Sequence, residues 1–383
     1  MKKLICILCA IAVLLSLTAC GGKKQPDMSM MNQQESSGGS QAADAAPESS
    51  RSVIREGEVS GGASYVLYSN GELVFTGGDV KENLKNLDVV SSYVGSVTSL
   101  KLEDGVSELG DGVFSDFTAL TRVVVGDSVT VIGRNAFSGC AALREVLLGA
   151  GVRSIGNRAF AGCTSLAGMD FGPSLTDLGT DVFDGCTGLA SFTVDCDLPS
   201  HSFENLAGLK DVSFGEHVTR VSSYAFTNCT SLRYITLGPN MTQIDDYAFK
   251  GCTALTSIRI PASMQLLGDE SFAGCTSLST IEIDEGGSLE LGYRAFSDCT
   301  ALKTLSLAEG VTKIGERCFA GCTGLEKIIL PKSLTELGYG ILEGDEHLRV
   351  LGYRGSSTDF SKVKKNDKWR YSIELNMEYN SKQ

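Results

Sequence analysis

The sequence predicts a repeat solenoid, mainly β with short helical or 3-10 turns, and three observations support this fold class. A Phe recurs at nearly constant spacing, a Cys lies three residues after eight of these Phe residues, and two short apolar segments precede most of them. The Phe positions are Phe114, Phe137, Phe160, Phe183, Phe203, Phe226, Phe249, Phe272, Phe296 and Phe319. The step is 23 residues, except for 20 from Phe183 to Phe203 and 24 from Phe272 to Phe296. A fixed period in this range indicates stacked units that bury their apolar faces against one another.

Residues 1–19 predict a secretory signal. Two Lys residues precede an apolar run from Leu4 to Leu17, which is too short for a membrane span, and small residues follow the run. The segment ends in Leu-Thr-Ala-Cys at Cys20, which resembles the bacterial lipobox. That resemblance implies that Cys20 is lipidated and becomes the mature N-terminus, anchoring the chain to the membrane. The alternative is an ordinary secretory signal that is cleaved near Ala19.

Residues 20–56 predict a disordered tether. They consist mostly of Gln, Ser, Gly, Ala, Met and Pro, which bury too little apolar surface to offset the entropy of ordering. The charge of the whole chain is −13, and removal of two Lys residues with the signal makes it −15. An acidic body repels phosphate backbones and anionic lipid, so nucleic acid is not an expected partner.

One unit illustrates the expected local structure. The segment Leu232-x-x-Ile235-x-Leu237 alternates apolar and polar residues, as a strand does. Gly-Pro-Asn then supplies turn chemistry, and Met241 to Ile244 forms a second short strand. The piece that leads to Phe249 suits a single helical or 3-10 turn, and Gly251 is expected to end that turn with a positive φ.

These residues carry a family resemblance. The repeated Ala-Phe-x-Gly-Cys-x-x-Leu-x-x-Ile-x-Leu pattern resembles the BspA-like leucine-rich repeat family of bacterial surface proteins, over residues 100–352 and 10–11 units. Residues 57–99, with a hairpin turning at Asn70-Gly71, resemble the N-terminal cap of that family. Residues 353–383 resemble its closing element. End caps are also expected physically, because a bare terminal unit exposes its core and its strand edge.

One unit departs from the pattern. The segment from Asp195 to Phe203 is three residues short, contains Pro199, and is followed by Leu206 where the other units have Cys. Because proline cannot donate to a strand ladder, this unit is expected to form a bend or a weak seam. A binding feature is the alternative interpretation.

The cysteines divide by position. Cys6 and Cys9 leave with the signal, Cys20 is the lipidation site, and Cys196 and Cys318 stand apart. Eight others form one column: Cys140, Cys163, Cys186, Cys229, Cys252, Cys275, Cys299 and Cys322. Secretion and an even count suggest disulfides. Parallel side chains one strand spacing apart fit disulfide geometry poorly, however, so we expect buried free thiols.

The sequence contains no recognisable set of catalytic residues. His201, His217 and His347 lie outside any His-Glu-x-x-His motif, and no Gly-x-Ser-x-Gly, phosphate-binding loop or dinucleotide fingerprint is present. No Cys-x-x-Cys follows the signal, so neither a metal nor another cofactor is expected. An enzyme or an assembly scaffold is therefore the least favoured interpretation.

The remaining candidates lie on the surface of the strands. Solenoids bind partners along such extended faces, and Arg and Tyr often anchor interfaces. Arg233, Tyr234, Arg259 and Glu282 are the predicted binding residues. The family resemblance implies a lipid-anchored protein of the bacterial cell surface, with an adhesive or host- or neighbour-facing role toward a protein partner. A glycan or a cell-wall ligand is the alternative partner.

Overall fold

The structure is a computed structural model that describes residues 51–86, 91–370 and 377–381, which belong to one compact unit, Ser50–Gln383. The expected signal, Cys20 and most of the expected tether lie outside the described residues. The first strand, β1, covers Val53–Glu58 and includes the last four residues of the expected tether. The composition of this segment did not reveal a strand, because β1 is exposed along its whole length and lacks an apolar face.

An antiparallel start leads into a parallel solenoid. β1 pairs with β2 (Ser64–Tyr68), and β2 pairs with β3 (Glu72–Thr76) around the Asn-Gly turn. Gly71 in this turn has a φ of 83°, which a glycine adopts without strain. β3 then pairs in parallel with the next strand, so the expected hairpin also serves as the first rung of the solenoid.

The solenoid has two columns of short parallel strands, and the predicted repeat fold is confirmed. The first column comprises β3, β4 (Ser99–Leu102), β6 (Arg122–Val125), β8 (Glu145–Leu147), β10 (Gly168–Phe171), β12 (Ser191–Val194), β13 (Asp211–Phe214), β15 (Tyr234–Thr236), β17 (Ser257–Ile260), β19 (Thr280–Ile283), β21 (Thr304–Ser306), β23 (Lys327–Leu330), β25 (Val350–Tyr353) and β27 (Met377–Tyr379). These strands form more rungs than the expected 10–11 units, because β3 and β27 in the terminal segments continue the column.

The second column follows the first within each unit. It comprises β5 (Glu108–Leu109), β7 (Val131–Ile132), β9 (Ser154–Ile155), β11 (Asp177–Leu178), β14 (Arg220–Val221), β16 (Gln243–Ile244), β18 (Leu266–Leu267), β20 (Leu289–Leu291), β22 (Val311–Ile314), β24 (Glu336–Leu337) and β26 (Lys364–Lys365). The short unit contributes only a single bridge, Leu198 to Val221, to this column. The described helices are a 3-10 segment at Leu84–Asn86 and α1 at Ser357–Ser361, which begins with a capping box at Ser356.

The segments before the Phe column are turns rather than helical or 3-10 segments, which corrects one sequence expectation. The Tyr247 backbone has a φ of 61°, in the left-handed region, and this ends any right-handed helix. Alternate N–H groups donate to the next unit instead, from Tyr247 to Asp269, Phe249 to Ser271 and Gly251 to Ala273, each at 2.8 Å. Gly251 has a φ of 72°, as its place at the end of the turn requires.

The Phe and Cys columns form the centre of the core. Consecutive Phe rings from Phe114 to Phe319 stack with centroids 5.1–5.9 Å apart. All ten described cysteines are buried and unbridged. Each column thiol donates to a Phe carbonyl of the preceding unit, as Cys140 does to Phe114 at 3.2 Å. Burial raises the pKa of Cys140 to about 12, so the thiol stays protonated at neutral pH.

Candidate binding surface on the first strand column

Within the described residues, strand pairing along the first strand column is interrupted at three junctions. Backbone pairing is continuous within β4–β6–β8, β10–β12–β13–β15, β17–β19 and β21–β23–β25–β27, but no strand pairing joins β8 to β10, β15 to β17 or β19 to β21. The last junction coincides with the 24-residue step. The other two fall at ordinary 23-residue steps. The strands at these junctions therefore lack the backbone ladder that joins the others.

The junction of β15 and β17 opens an apolar cleft. Ile235 and Leu237 are only half-buried here, whereas Ile258 and Ile260, their counterparts in the next unit, are 2% and 0% exposed. The cleft has a volume of about 420 Å³ and is lined by Ile235, Thr236, Leu237, Pro239, Arg259, Pro261 and Asp284. It therefore combines an apolar floor with one ion pair and one hydroxyl at the rim.

Arg259 is held at the rim of this cleft. Its Nε and Nη2 atoms each lie 3.0 Å from Oδ1 of Asp284. This contact raises the pKa of the Arg259 guanidinium, chiefly through the hydrogen bond to Asp284. Glu282, the register partner of Arg259 on β19, is exposed and does not line the cleft. The Arg259 guanidinium therefore pairs with Asp284, two residues beyond the predicted Glu282.

Tyr234 is the most exposed large apolar side chain among the described residues, at 60%. It begins β15, next to Ile235 of the same strand, which lines the cleft together with Leu237 just beyond the strand. Arg233 is also exposed and lies next to it in the chain. The structure thus places three of the four predicted residues on β15, beside it or at the cleft rim, and leaves Glu282 outside.

Sequence reasoning missed Pro239, Pro261 and Asp284. A signal was present: Pro239 and Pro261 follow equivalent strands, β15 and β17, and Asp284 is the next acidic residue after Glu282. The described residues contain no group of three or more His, Cys, Asp or Glu side chains that suits a metal ion. No helix among them is long and apolar enough to cross a bilayer.

Parallel strand columns, a buried Phe stack and a unit of about 23 residues define a leucine-rich repeat solenoid. Such solenoids typically act as non-enzymatic scaffolds that bind protein ligands. The family profile described as "BspA type Leucine rich repeat region (6 copies)" matches residues 92–198, 196–288 and 287–362. The chain belongs to the BspA-type leucine-rich repeat family.

Solved bacterial structures show further similarity. A leucine-rich repeat protein from Bacteroides ovatus is 22% identical, with 82% of this chain and 98% of that chain covered and a TM-score of 0.41. A leucine-rich cell surface protein from Faecalibacterium prausnitzii is 22% identical, with coverages of 81% and 97% and a TM-score of 0.35. An internalin from Listeria monocytogenes is 18% identical, with coverages of 82% and 88% and a TM-score of 0.35. The search of curated protein sequences gave no match.

Proposed function

We propose that this chain is a lipid-anchored protein of the bacterial cell surface that binds a protein partner at the cleft between β15 and β17. The observation that carries the proposal is the pairing of an open apolar cleft with a 60% exposed Tyr234. Interfaces concentrate their affinity in buried Tyr, Trp and Arg side chains that fill or flank such clefts. The acidic body favours a partner surface of basic or neutral character.

The Arg259–Asp284 pair supports the same conclusion. The contact with Asp284 gives the exposed Arg259 guanidinium a preferred orientation, which lowers the entropic cost of binding a partner side chain. Ile235, Leu237 and Pro239 provide apolar surface that a partner would remove from water. A polar rim around an apolar floor is the usual arrangement of a specific interface.

The test uses a photo-crosslinking residue at Thr236, at the rim of the cleft, and at Thr358, on α1, as the control position. We expect Thr236 alone to capture a defined partner on host or neighbouring cells. Tyr234→Ala and Arg259→Ala should each weaken binding of that purified partner at least tenfold, about 1.4 kcal/mol. Arg349→Ala, an exposed arginine five units along the same column as Arg233, should leave the affinity unchanged. Equal capture at both positions, or full affinity in both cleft variants, would contradict the proposal.

The lipid anchor is tested separately. Cys20→Ala removes the only sulfur at the proposed acylation point, so we expect the protein to leave the membrane fraction and appear in the medium or periplasm. Fractionation with immunodetection measures this. Cys6→Ala, within the same signal, serves as the control and should fractionate as the parent does. A Cys20→Ala protein that stays with the membranes would show that the anchor lies elsewhere.

A further inference from the structure

Among the repeat units that the structure describes, the turns of neighbouring units are joined by a regular hydrogen-bond ladder that breaks at one place. In an intact junction, three alternate N–H groups of one unit donate to three carbonyls of the next, as Arg158, Phe160 and Gly162 do at 3.0, 3.0 and 2.7 Å. The corresponding donors of the following unit, Asp181, Phe183 and Gly185, have no backbone acceptor among the described residues. The facing carbonyls, those of Ser200, Ser202 and Glu204, have no backbone donor there either.

The three-residue deletion explains this break. Phe171 still pairs with Val194 at the ordinary step, whereas Leu198 follows Leu178 by only 20 residues, so the deletion falls between Val194 and Leu198. Pro199 cannot donate a backbone hydrogen bond. Leu206, in the Cys column, has no thiol to donate to the carbonyl of Phe183. The first strand column continues through this unit, so the opening is confined to the second column and the turns.

An open cleft of about 470 Å³ lies between these two turns. It is lined by Thr180, Asp181, Phe183, Asp184, Gly185, Ser200, His201, Ser202, Phe203, Glu204, Asn205 and Leu206. Gly185 is exposed, whereas Gly139 and Gly162 at intact junctions are half-buried. The cleft therefore presents a row of donors on one wall and a row of acceptors on the other.

A column of stacked rings ends at this cleft. The His201 ring stacks on Tyr224 at 4.6 Å, and Tyr224 stacks on Tyr247 at 4.7 Å. One face of His201 is thus covered by Tyr224, and no aromatic ring covers the other face among the described residues. Nδ1 of His201 lies 2.7 Å from Glu204, which fixes the orientation of the ring. The preceding unit has Asp181 at the position of His201, so the column of stacked rings does not continue across the cleft.

We propose that this cleft, the seam between the turns that contain Phe183 and Phe203, is a second binding site and that its ligand is a neutral carbohydrate. A sugar hydroxyl both donates and accepts hydrogen bonds, so a chain of hydroxyls can satisfy the N–H wall and the carbonyl wall together. The C–H face of a sugar ring carries slight positive charge and packs on the negative face of an aromatic ring such as His201. Asp181, Asp184 and Glu204 disfavour an anionic ligand. The site lies on the turns, away from the first strand column, and does not rest on the function proposed above.

The Phe column excludes the competing ligand, an inserted peptide strand. A strand that paired with both walls would need about 4.8 Å on each side. Phe183 and Phe203 remain stacked 5.7 Å apart, so a peptide backbone cannot enter without breaking the core. A sugar chain that lies across the mouth of the cleft reaches both walls without separating these rings.

The direct test is titration calorimetry of the purified full-length protein with neutral hexasaccharides of glucose, mannose and xylose. We expect at least one of them to bind with a Kd below about 1 mM and His201→Ala to weaken it at least tenfold. Asn135→Ala is the matched control. Asn135 is exposed and occupies the same position of its unit as His201, with a φ of 52° against 63° for His201. It belongs to a junction whose hydrogen-bond ladder is intact. No binding at 10 mM, or equal binding by His201→Ala, would overturn the proposal.

A second variant tests the seam itself. Insertion of Gly-Pro-Ser after Val194 together with Pro199→Gly restores a 23-residue unit, and we expect the closed ladder to abolish sugar binding while the melting temperature does not fall. Hydrogen exchange should show fast exchange at the amides of Asp181, Phe183 and Gly185, which slows in the parent when the hexasaccharide is added. Sugar binding that survives closure, or slowing of these amides by an extended hexapeptide instead, would contradict the assignment.

Discussion

Phe249→Ala is expected to lower the free energy of unfolding by about 3–5 kcal/mol, the usual cost of truncating a buried Phe. Phe249 is fully buried, and its ring stacks on Phe226 at 5.1 Å and on Phe272 at 5.3 Å. Truncation therefore leaves a cavity that faces two neighbouring units, and neither ring can fill it without leaving its own stack. Chemical denaturation monitored by circular dichroism measures the loss.

The damage should spread locally before the whole solenoid melts, because each unit contacts only its neighbours. Hydrogen exchange should therefore increase first at the amides near Phe226 and Phe272, and later at those near Phe137. Tyr234→Ala is the control in the same unit: its side chain is 60% exposed, so the loss should stay within about 0.5 kcal/mol. A loss of less than about 1 kcal/mol for Phe249→Ala would contradict the stacked core.

The sequence predicted the strand, Phe and Cys columns because the same apolar positions recur in each unit and are buried there for the same reason. Ile235 follows the strand spacing. The Phe249 position recurs ten times and the Cys252 position eight times, and every one of these side chains is buried, so the copies support one interpretation of the unit. The hairpin at Asn70-Gly71 was likewise predictable, since few residues adopt that turn. Pro199 and the 20-residue step marked the short unit, although they did not show that the first strand column would continue through it.

The sequence did not predict which junctions between units lack strand pairing. β15 fails to pair with β17 at an ordinary 23-residue step, and Pro239 and Pro261, which follow these strands, do not by themselves predict the loss of pairing. Small shifts between neighbouring strands decide such pairing, and a local pattern does not encode them. The same holds for the site: Arg259 and Tyr234 were predicted as exposed interface types, but the partner of Arg259 depends on the side-chain reach across two strands and proved to be Asp284.

The Cys column contains one substitution with a large electrostatic consequence. Asp345 follows Cys322 by 23 residues and occupies the place of the thiol in the last such unit. It is 1% exposed, and neither carboxyl oxygen has a hydrogen-bond partner among the described residues. Burial raises the pKa of Asp345 from 3.8 to about 8, and the charge of Asp298 adds to this. At neutral pH the protonated acid therefore occupies a place that elsewhere holds a neutral thiol.

Because the folded protein holds this proton and the unfolded chain releases it near pH 4, the contribution of Asp345 to stability falls as pH rises from about 4 to about 8. Asp345→Asn keeps the shape of the side chain and removes the titration. The stability difference between the variant and the parent should grow by about 1.4 kcal/mol per pH unit across this window, to a total on the order of 5 kcal/mol. Denaturation of both proteins at pH 4.5, 6, 7 and 8.5 measures the slope.

Asp345→Cys sharpens this test, because it restores the residue that the column holds at Cys322 and supplies a thiol donor in place of an acid. We expect this variant to exceed the stability of the parent at pH 8 and to match the flat pH response of Asp345→Asn. Asp104→Asn, at an exposed aspartate in the N-terminal part of the solenoid, should leave the pH profile of the parent unchanged. A parent and an Asp345→Asn variant whose difference in stability stays constant from pH 4.5 to 8.5 would show that Asp345 is solvated or already charged in the folded protein.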